Sequence, residues 1–171
     1  TVKFLDAHAE GSSIGEILSL ISEFEPDVIG LTAMTVMIES AAKIAEEIKK
    51  EFPSIKIFLG GVHVTAEPIR TLTRYPCFDF AIIGEGEMAI KEFLGQIENE
   101  SALKTVQSLV WKERDEIRVN PRMPFLKDLD QLPPPAFDLV PSLFNHYRLS
   151  VFGTKKFKSV GLVTSRGCTG K

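Results

Sequence analysis

The chain has 171 residues, a formal charge of −3 and 44% hydrophobic residues, enough apolar material for one good core. It is not strongly basic, which excludes nucleic acid as the default partner, and no apolar run approaches the roughly 20 residues of a membrane span. Two cysteines, Cys77 and Cys168, make no disulfide framework, and with no signal-peptide pattern at the start the expected setting is reducing and cytoplasmic.

Residues 2–5 read as a short apolar strand ending at Asp6. Ser13 and Glu16 have capping-box spacing and open a helix with Ile14, Ile17, Leu18, Ile21 and Phe24 at helical period. Pro26 closes it. Residues 27–31 read as the next strand, whose continuous apolar run from Val28 is the pattern of a strand buried on both faces. A second helix is expected over 38–52, with Ile38, Ala41, Ala42, Ala45, Ile48 and Phe52 on one face. Residues 55–59 are the next strand and end in Gly60-Gly61. A shorter helix around 67–75 precedes a fourth strand at 80–83, which ends in Gly84-Glu85-Gly86-Glu87. A helix over 88–97 follows, with Ala89, Ile90, Phe93 and Leu94 inward.

Four strand–helix alternations predict an α/β fold, a doubly wound (Rossmann- or flavodoxin-like) parallel sheet with helices on both faces. The loops at 6–11, 32–37, 60–65 and 84–87 all follow strands. They gather at the carboxyl edge, where such sheets bind ligands. Residues 108–112 and 116–119 predict a hairpin around Glu113-Arg114-Asp115-Glu116, with Trp111 packed on the main domain. Pro133-Pro134-Pro135 stiffens a segment that is neither helix nor inner strand. It reads as a linker laid along a surface through Leu129, Leu132, Phe137 and Leu139. The expected organisation is an α/β domain at 1–99, a hairpin extension at 100–124, a linker at 125–156 and the start of another domain at 157–171, whose first strand is 157–163. Both ends look cut, so the chain reads as a fragment.

Thr32-Ala33-Met34-Thr35 offers hydroxyls and nearly bare backbone. Gly60-Gly61 lets a flat ligand approach the main chain, because no Cβ intervenes. Gly84-Glu85-Gly86 does the same at a helix start. Together they favour a sizeable ligand lying across one sheet edge. No G-x-G-x-x-G follows a strand and no P-loop is present, so neither a dinucleotide nor an NTPase is indicated.

Three motifs, residues 27–35, Phe58-Leu59-Gly60-Gly61-Val62-His63 and Ile83-Gly84-Glu85-Gly86-Glu87, resemble in order the cobalamin-binding domain of cobalamin-dependent radical SAM proteins, among them methyltransferases and cyclases of magnesium-protoporphyrin IX monomethyl ester. The linker 132–141 is similar to the one that joins this domain to the radical SAM barrel. Thr164-Ser165-Arg166-Gly167-Cys168 is similar to the start of the cluster motif C-x-x-x-C-x-x-C. The resemblance implies cobalamin here, with its dimethylbenzimidazole tail between sheet and helices and its corrin over the carboxyl edge. It implies S-adenosylmethionine and a [4Fe-4S] cluster in the full-length protein, with Cys168 as the first cluster cysteine and the radical SAM domain of the same chain as partner. Thr32, Ala33, Met34 and Thr35 would line the tail channel. Gly60, Gly61, Val62 and His63 would pass close to the tail, and Gly84, Glu85 and Gly86 would bound its far side. No catalytic residue is expected in these 171 residues, and the fragment alone is expected to be inactive.

Asp6-Ala7-His8-Ala9-Glu10-Gly11 fits the D-x-H-x-x-G pattern by which other cobalamin proteins supply a histidine to cobalt. An imidazole suits the metal, and Asp6 resembles an outer partner for it. The separation from Thr32 is too short, however, so His8 is read as a loop histidine. His63 and His146 are read as surface or loop residues, and Cys77 as a small buried hydrophobe. The alternative is a cofactor-free flavodoxin- or receiver-like interaction domain. A receiver needs an acidic pair on its first strand, a phosphoacceptor aspartate and a lysine, none of which is in view. A nucleotide-binding half of a glycosyltransferase is disfavoured by Glu85 and Glu87, which repel phosphate at a helix start.

Overall fold

Ser13 and Glu16 close on each other as their spacing requires. In the computed structural model, which describes residues 1–140, 165 and 166, Ser13 N donates to Glu16 Oε2 at 2.8 Å and Glu16 N donates to Ser13 Oγ at 3.3 Å. The Ser13 amide, helped by the Ser13 hydroxyl, holds the Glu16 carboxyl below its ordinary value. This capping box opens α2 (Ile14–Phe24). Before it lies α1 (Ala7–Glu10), a single turn. The expected strand at 2–5 does not form. Four residues carry too little pairing to hold a strand without a partner, and Val2 and Phe4 are exposed. Asp6 is an N-cap rather than an outer partner of His8: its Oδ1 accepts from Ala9 N at 2.9 Å, the usual role of Asp before a helical turn.

The sheet follows. The strands β1 (Val28–Thr32), β2 (Lys56–Gly60) and β3 (Phe80–Ile82) are parallel; β4 (Leu109–Glu113) and β5 (Glu116–Val119) extend the sheet as an antiparallel hairpin. Strand order equals chain order. Between the strands run α3 (Ile38–Glu51), α4 (Val62–Ala66), α5 (Pro68–Arg74), α6 (Glu87–Gln96) and α7 (Glu100–Leu103). The Rossmann-like α/β class and the hairpin are thus as expected. The Gly60-to-Thr65 stretch, expected as a loop, winds into α4 instead.

Register explains the two layers. Gly30, Phe58, Phe80 and Trp111 are successive partners across four strands, so they share one face. Phe80, Ile82 and Trp111 pack there with Ala89 and Phe93 of α6, Leu103 of α7, Val106 and Leu109. The Phe93 ring meets Phe80 at 4.9 Å and Phe58 at 5.9 Å between centroids. Leu94, expected inward, is 46% exposed; α6 buries a narrow stripe, and Leu94 falls beside it. On the opposite face α3 buries Ile38, Ala41, Ala42, Ala45 and Ile48. Right-handed β–α–β crossovers place α3 and α5 together on that side. Lys49 of α3 donates to Asp79 Oδ2 at 2.6 Å and Ile55 O at 2.7 Å, and Ile57 N donates to the same Asp79 oxygen at 2.7 Å. One lysine therefore ties α3 to the starts of β2 and β3.

Cys77 is buried, as expected, with its thiol 3.7 Å from Ala42 O. Burial pushes that thiol up to about 11 from an ordinary value of 9.0. The folded state therefore keeps a proton that the unfolded chain releases first. Stability from this group is full below pH 9 and lost as pH rises towards 11. Urea midpoints between pH 8 and 11 are expected to fall with the slope of one released proton, and Cys77→Ala to flatten that slope. An unchanged slope in the variant counts against the assignment.

Residues 18–125 make one compact unit; residues 1–17 and the described residues from Leu126 on make another. In the second, Leu129–Gln131 and Phe137–Leu139 are single 3-10 turns around the prolines. Leu129 and Leu132 are half-buried there, and Phe137 and Leu139 are exposed. Cys168, His146 and the strand expected at 157–163 lie outside the described residues.

Candidate functional site

The ends of the three parallel strands bring the expected loops together. Thr32 pairs with Gly60 at the last register position. Just beyond, Ala33 N donates to Gly60 O at 3.2 Å, and His63 N donates to Ala33 O at 3.3 Å. Gly61 sits against this crossing with φ +98° and ψ −179°, a conformation essentially confined to glycine. A Cβ on Gly61 would lie 2.7 Å from Ala33 O and 2.8 Å from Thr32 Oγ1. The Gly-Gly thus lets two strand ends touch, as well as baring backbone. His63 is half-buried, its Nδ1 3.3 Å from Thr35 Oγ1.

Beside Gly61 opens a cavity of about 370 Å³, lined by Phe58, Gly60, Gly61, Ile82, Gly84, Gly86, Glu87 and Ile90. It lies between β2, β3 and the first turns of α6, and its volume is at the low end of the roughly 300–1,000 Å³ of small-molecule sites. One wall is the Phe58 ring. That ring lies over Gly30, where an added Cβ would come within 2.3 Å of Phe58 Cζ. The other side-chain walls come from Ile82, Ile90 and Glu87, so the interior suits a mostly apolar group. Of the expected residues, Gly60, Gly61, Gly84 and Gly86 line the cavity. Ala33 is buried, Glu85 is half-buried, and Thr32, Met34, Thr35 and Val62 are exposed. None of these six is among the lining residues. Sequence reading missed Phe58, Ile82, Ile90 and Glu87 as walls, although alternation along β2 and β3 places Phe58 and Ile82 on one face.

A second feature lies at the same edge of the sheet. Val36, Val62 and Met88, in the first turns that follow β1, β2 and β3, are 88%, 66% and 47% exposed, and Met34 is 55% exposed. Apolar side chains clustered at one sheet edge mark a binding surface rather than scattered exposure. Among the described residues, no group of three or more His, Cys, Asp or Glu is placed to hold a metal ion. No described helix is long and apolar enough to cross a membrane.

The family of the B12 binding domain matches residues 1–94, more than half of the chain. The chain belongs to that family. An uncharacterized methyltransferase of Pyrococcus horikoshii is 32% identical over 172 residues, covering 98% of this chain and 35% of the relative. The anaerobic magnesium-protoporphyrin IX monomethyl ester cyclase of Cereibacter sphaeroides is 28% identical, covering 77% and 22%. Among solved structures, the radical S-adenosylmethionine methyltransferase TsrM from Kitasatospora setae superposes with a TM-score of 0.61 at 16% identity, covering 70% of this chain and 24% of that one. The cobalamin-dependent S-adenosylmethionine radical enzyme OxsB with aqua-cobalamin bound gives 0.57 at 23% identity, covering 67% and 16%. The chain thus spans about a third or less of the length of each of these four proteins. A cofactor-free interaction domain is not favoured.

Proposed function

We propose that this B12-binding domain holds cobalamin for a radical SAM enzyme, with the cofactor's tail in the glycine-lined cavity and its corrin over the apolar rim. The observation that carries the reading is the pairing of that cavity with that rim at the carboxyl edge of β1–β3. The cavity offers a slot with mostly apolar walls, which fits dimethylbenzimidazole. Val36, Val62 and Met88 offer the broad apolar support that fits a macrocycle's edge. Gly60, Gly61, Gly84 and Gly86 bare the backbone to the tail; Thr32 and Ala33 hold Gly61 in place, and Thr35 steadies His63. Met34, Val62 and Glu85 complete the rim. When bound, cobalamin supplies a cobalt centre able to carry a methyl group. Methyl transfer, the activity in the archaeal relative's name, is preferred here to cyclisation. The [4Fe-4S] cluster, S-adenosylmethionine and the radical SAM domain belong to the full-length protein, with Cys168 as first cluster cysteine.

Titrating the full-length protein with hydroxocobalamin tests this. The expected result is a saturable change in the visible spectrum, with slowed amide exchange at 60–63 and 84–87. An unchanged spectrum together with unchanged exchange removes the proposal.

A further inference from the structure

Thr65 carries a hydrogen-bond pattern that helix chemistry does not require. Its hydroxyl donates to Gly61 O at 2.9 Å, the back-bond that threonines in helices often make to the carbonyl four residues earlier. Thr71 and Thr73 make the same bond in α5, to Glu67 O and Ile69 O. Thr65 differs in that its oxygen also accepts from Gly84 N, at 3.0 Å, nineteen residues away. One hydroxyl thus uses its only proton on the loop after β2 and a lone pair on the loop after β3. Gly61 and Gly84 both line the cavity, from opposite loops.

A third segment joins the same point. Arg122 donates through its guanidinium to Thr65 O at 2.9 Å, satisfying a carbonyl at the end of a short helix. Arg122 is itself held from both sides. Ser108 N donates to Pro121 O at 2.8 Å, Met123 N donates to Ser108 Oγ at 2.9 Å, and Ile83 N donates to Ser108 O at 3.0 Å. Thr65 therefore sits where the loop after β2, the loop after β3 and the strand-like exit from β5 are tied together.

We infer that Thr65 is a positioning residue for the cofactor cavity: its hydroxyl fixes the separation of Gly61 from Gly84 and so the width of the slot that receives the tail. The inference rests on the cobalamin reading above and adds a residue that lies outside the three motifs and acts by bridging two of them, at Gly61 and Gly84. Without the hydroxyl, Gly84 N–H turns to water. Gly84, at φ +78° with nothing within 4 Å of where a Cβ would stand, then loses its direct tie to the Gly61 loop.

The experiment compares Thr65→Val and Thr65→Ser with the wild type in the full-length protein. Three readouts are taken: hydroxocobalamin affinity by visible absorbance, Gly84 amide exchange without cofactor, and thermal melting by circular dichroism. Thr65→Val is expected to melt near the wild type, to lose protection at Gly84 and to bind cobalamin roughly tenfold more weakly, the scale of one lost hydrogen bond. Thr65→Ser is expected to match the wild type in all three. Wild-type affinity in Thr65→Val, or Thr65→Ser as weak as Thr65→Val, overturns the inference. If Thr65→Val and Thr65→Ala both unfold, the hydroxyl serves folding, and the positioning role is rejected. A wild type that binds no cobalamin instead sinks the functional reading, while Gly84 exchange still reports whether the bridge exists.

Discussion

Gly61→Ala is expected to abolish measurable cobalamin binding and to destabilise the domain. The backbone at Gly61 costs an alanine roughly 1–3 kcal/mol in strain alone. The new Cβ would also press within 2.7 Å of the Ala33 carbonyl, and backbone yields less readily than a side-chain tip. The loop must then part from Thr32 and Ala33, breaking the bonds Ala33 N to Gly60 O and His63 N to Ala33 O. A total near 3 kcal/mol, if it fell on the bound state alone, is more than a hundredfold in affinity. Gly84→Ala separates strain from crowding. Gly84 also has positive φ, but an added Cβ there meets nothing within 4 Å. It is expected to lose only about 1–2 kcal/mol. Melting curves and cobalamin titrations of the two variants check this; equal behaviour would mean that the contact with Ala33 is irrelevant.

Phe93→Ala is expected to give the largest loss of stability, about 3–5 kcal/mol, the range for emptying a buried phenylalanine site. Phe93 is fully buried between Phe80 and Phe58. Its removal also leaves the Phe58 ring without its edge-on neighbour, and Phe58 is a cavity wall. Affinity should therefore fall with stability. Leu94→Ala, one residue on and 46% exposed, is expected to change stability by under about 0.5 kcal/mol. Urea unfolding distinguishes the pair, and comparable losses would show that α6 packs through a different face.

Periodicity made much of this legible. Of the expected stripe, Ile38, Ala41, Ala42, Ala45 and Ile48 are buried, and Phe52, at the cap just past the helix, is half-buried, because a helix against a sheet has one inward face and 3.6 residues per turn name it. The apolar run at 28–31 and the small-residue loop after it located β1 and the ligand edge, but the strand expected to be buried on both faces is the outer one of the described sheet, with none of its residues fully buried. Short elements were not legible. Residues 2–5 have strand composition, but pairing depends on a partner elsewhere; α4 hides behind Gly-Gly because five residues show no period. Nor did any pattern announce Lys49 with Asp79, Asn120 donating to Leu103 O and Val106 O, or Thr65 with Gly84. Those bonds join side chains to groups distant along the chain. Burial leaves a rhythm in the sequence, whereas the choice of a hydrogen-bond partner leaves none.

Strand order bears on how the molecule assembles. Each strand pairs with its neighbour in sequence, so no pairing within residues 18–125 requires the chain to close a loop longer than a connection of one or two helices. Loop-closure entropy rises with length, and local topologies fold fastest. The sheet can grow like a zipper from either side of β2. Because the cavity draws its walls from β2, β3 and the helix directly after them, its parts are contiguous along the chain. A nascent polypeptide would have the pocket's components in hand as soon as α6 had emerged, before the hairpin that buttresses it had been made.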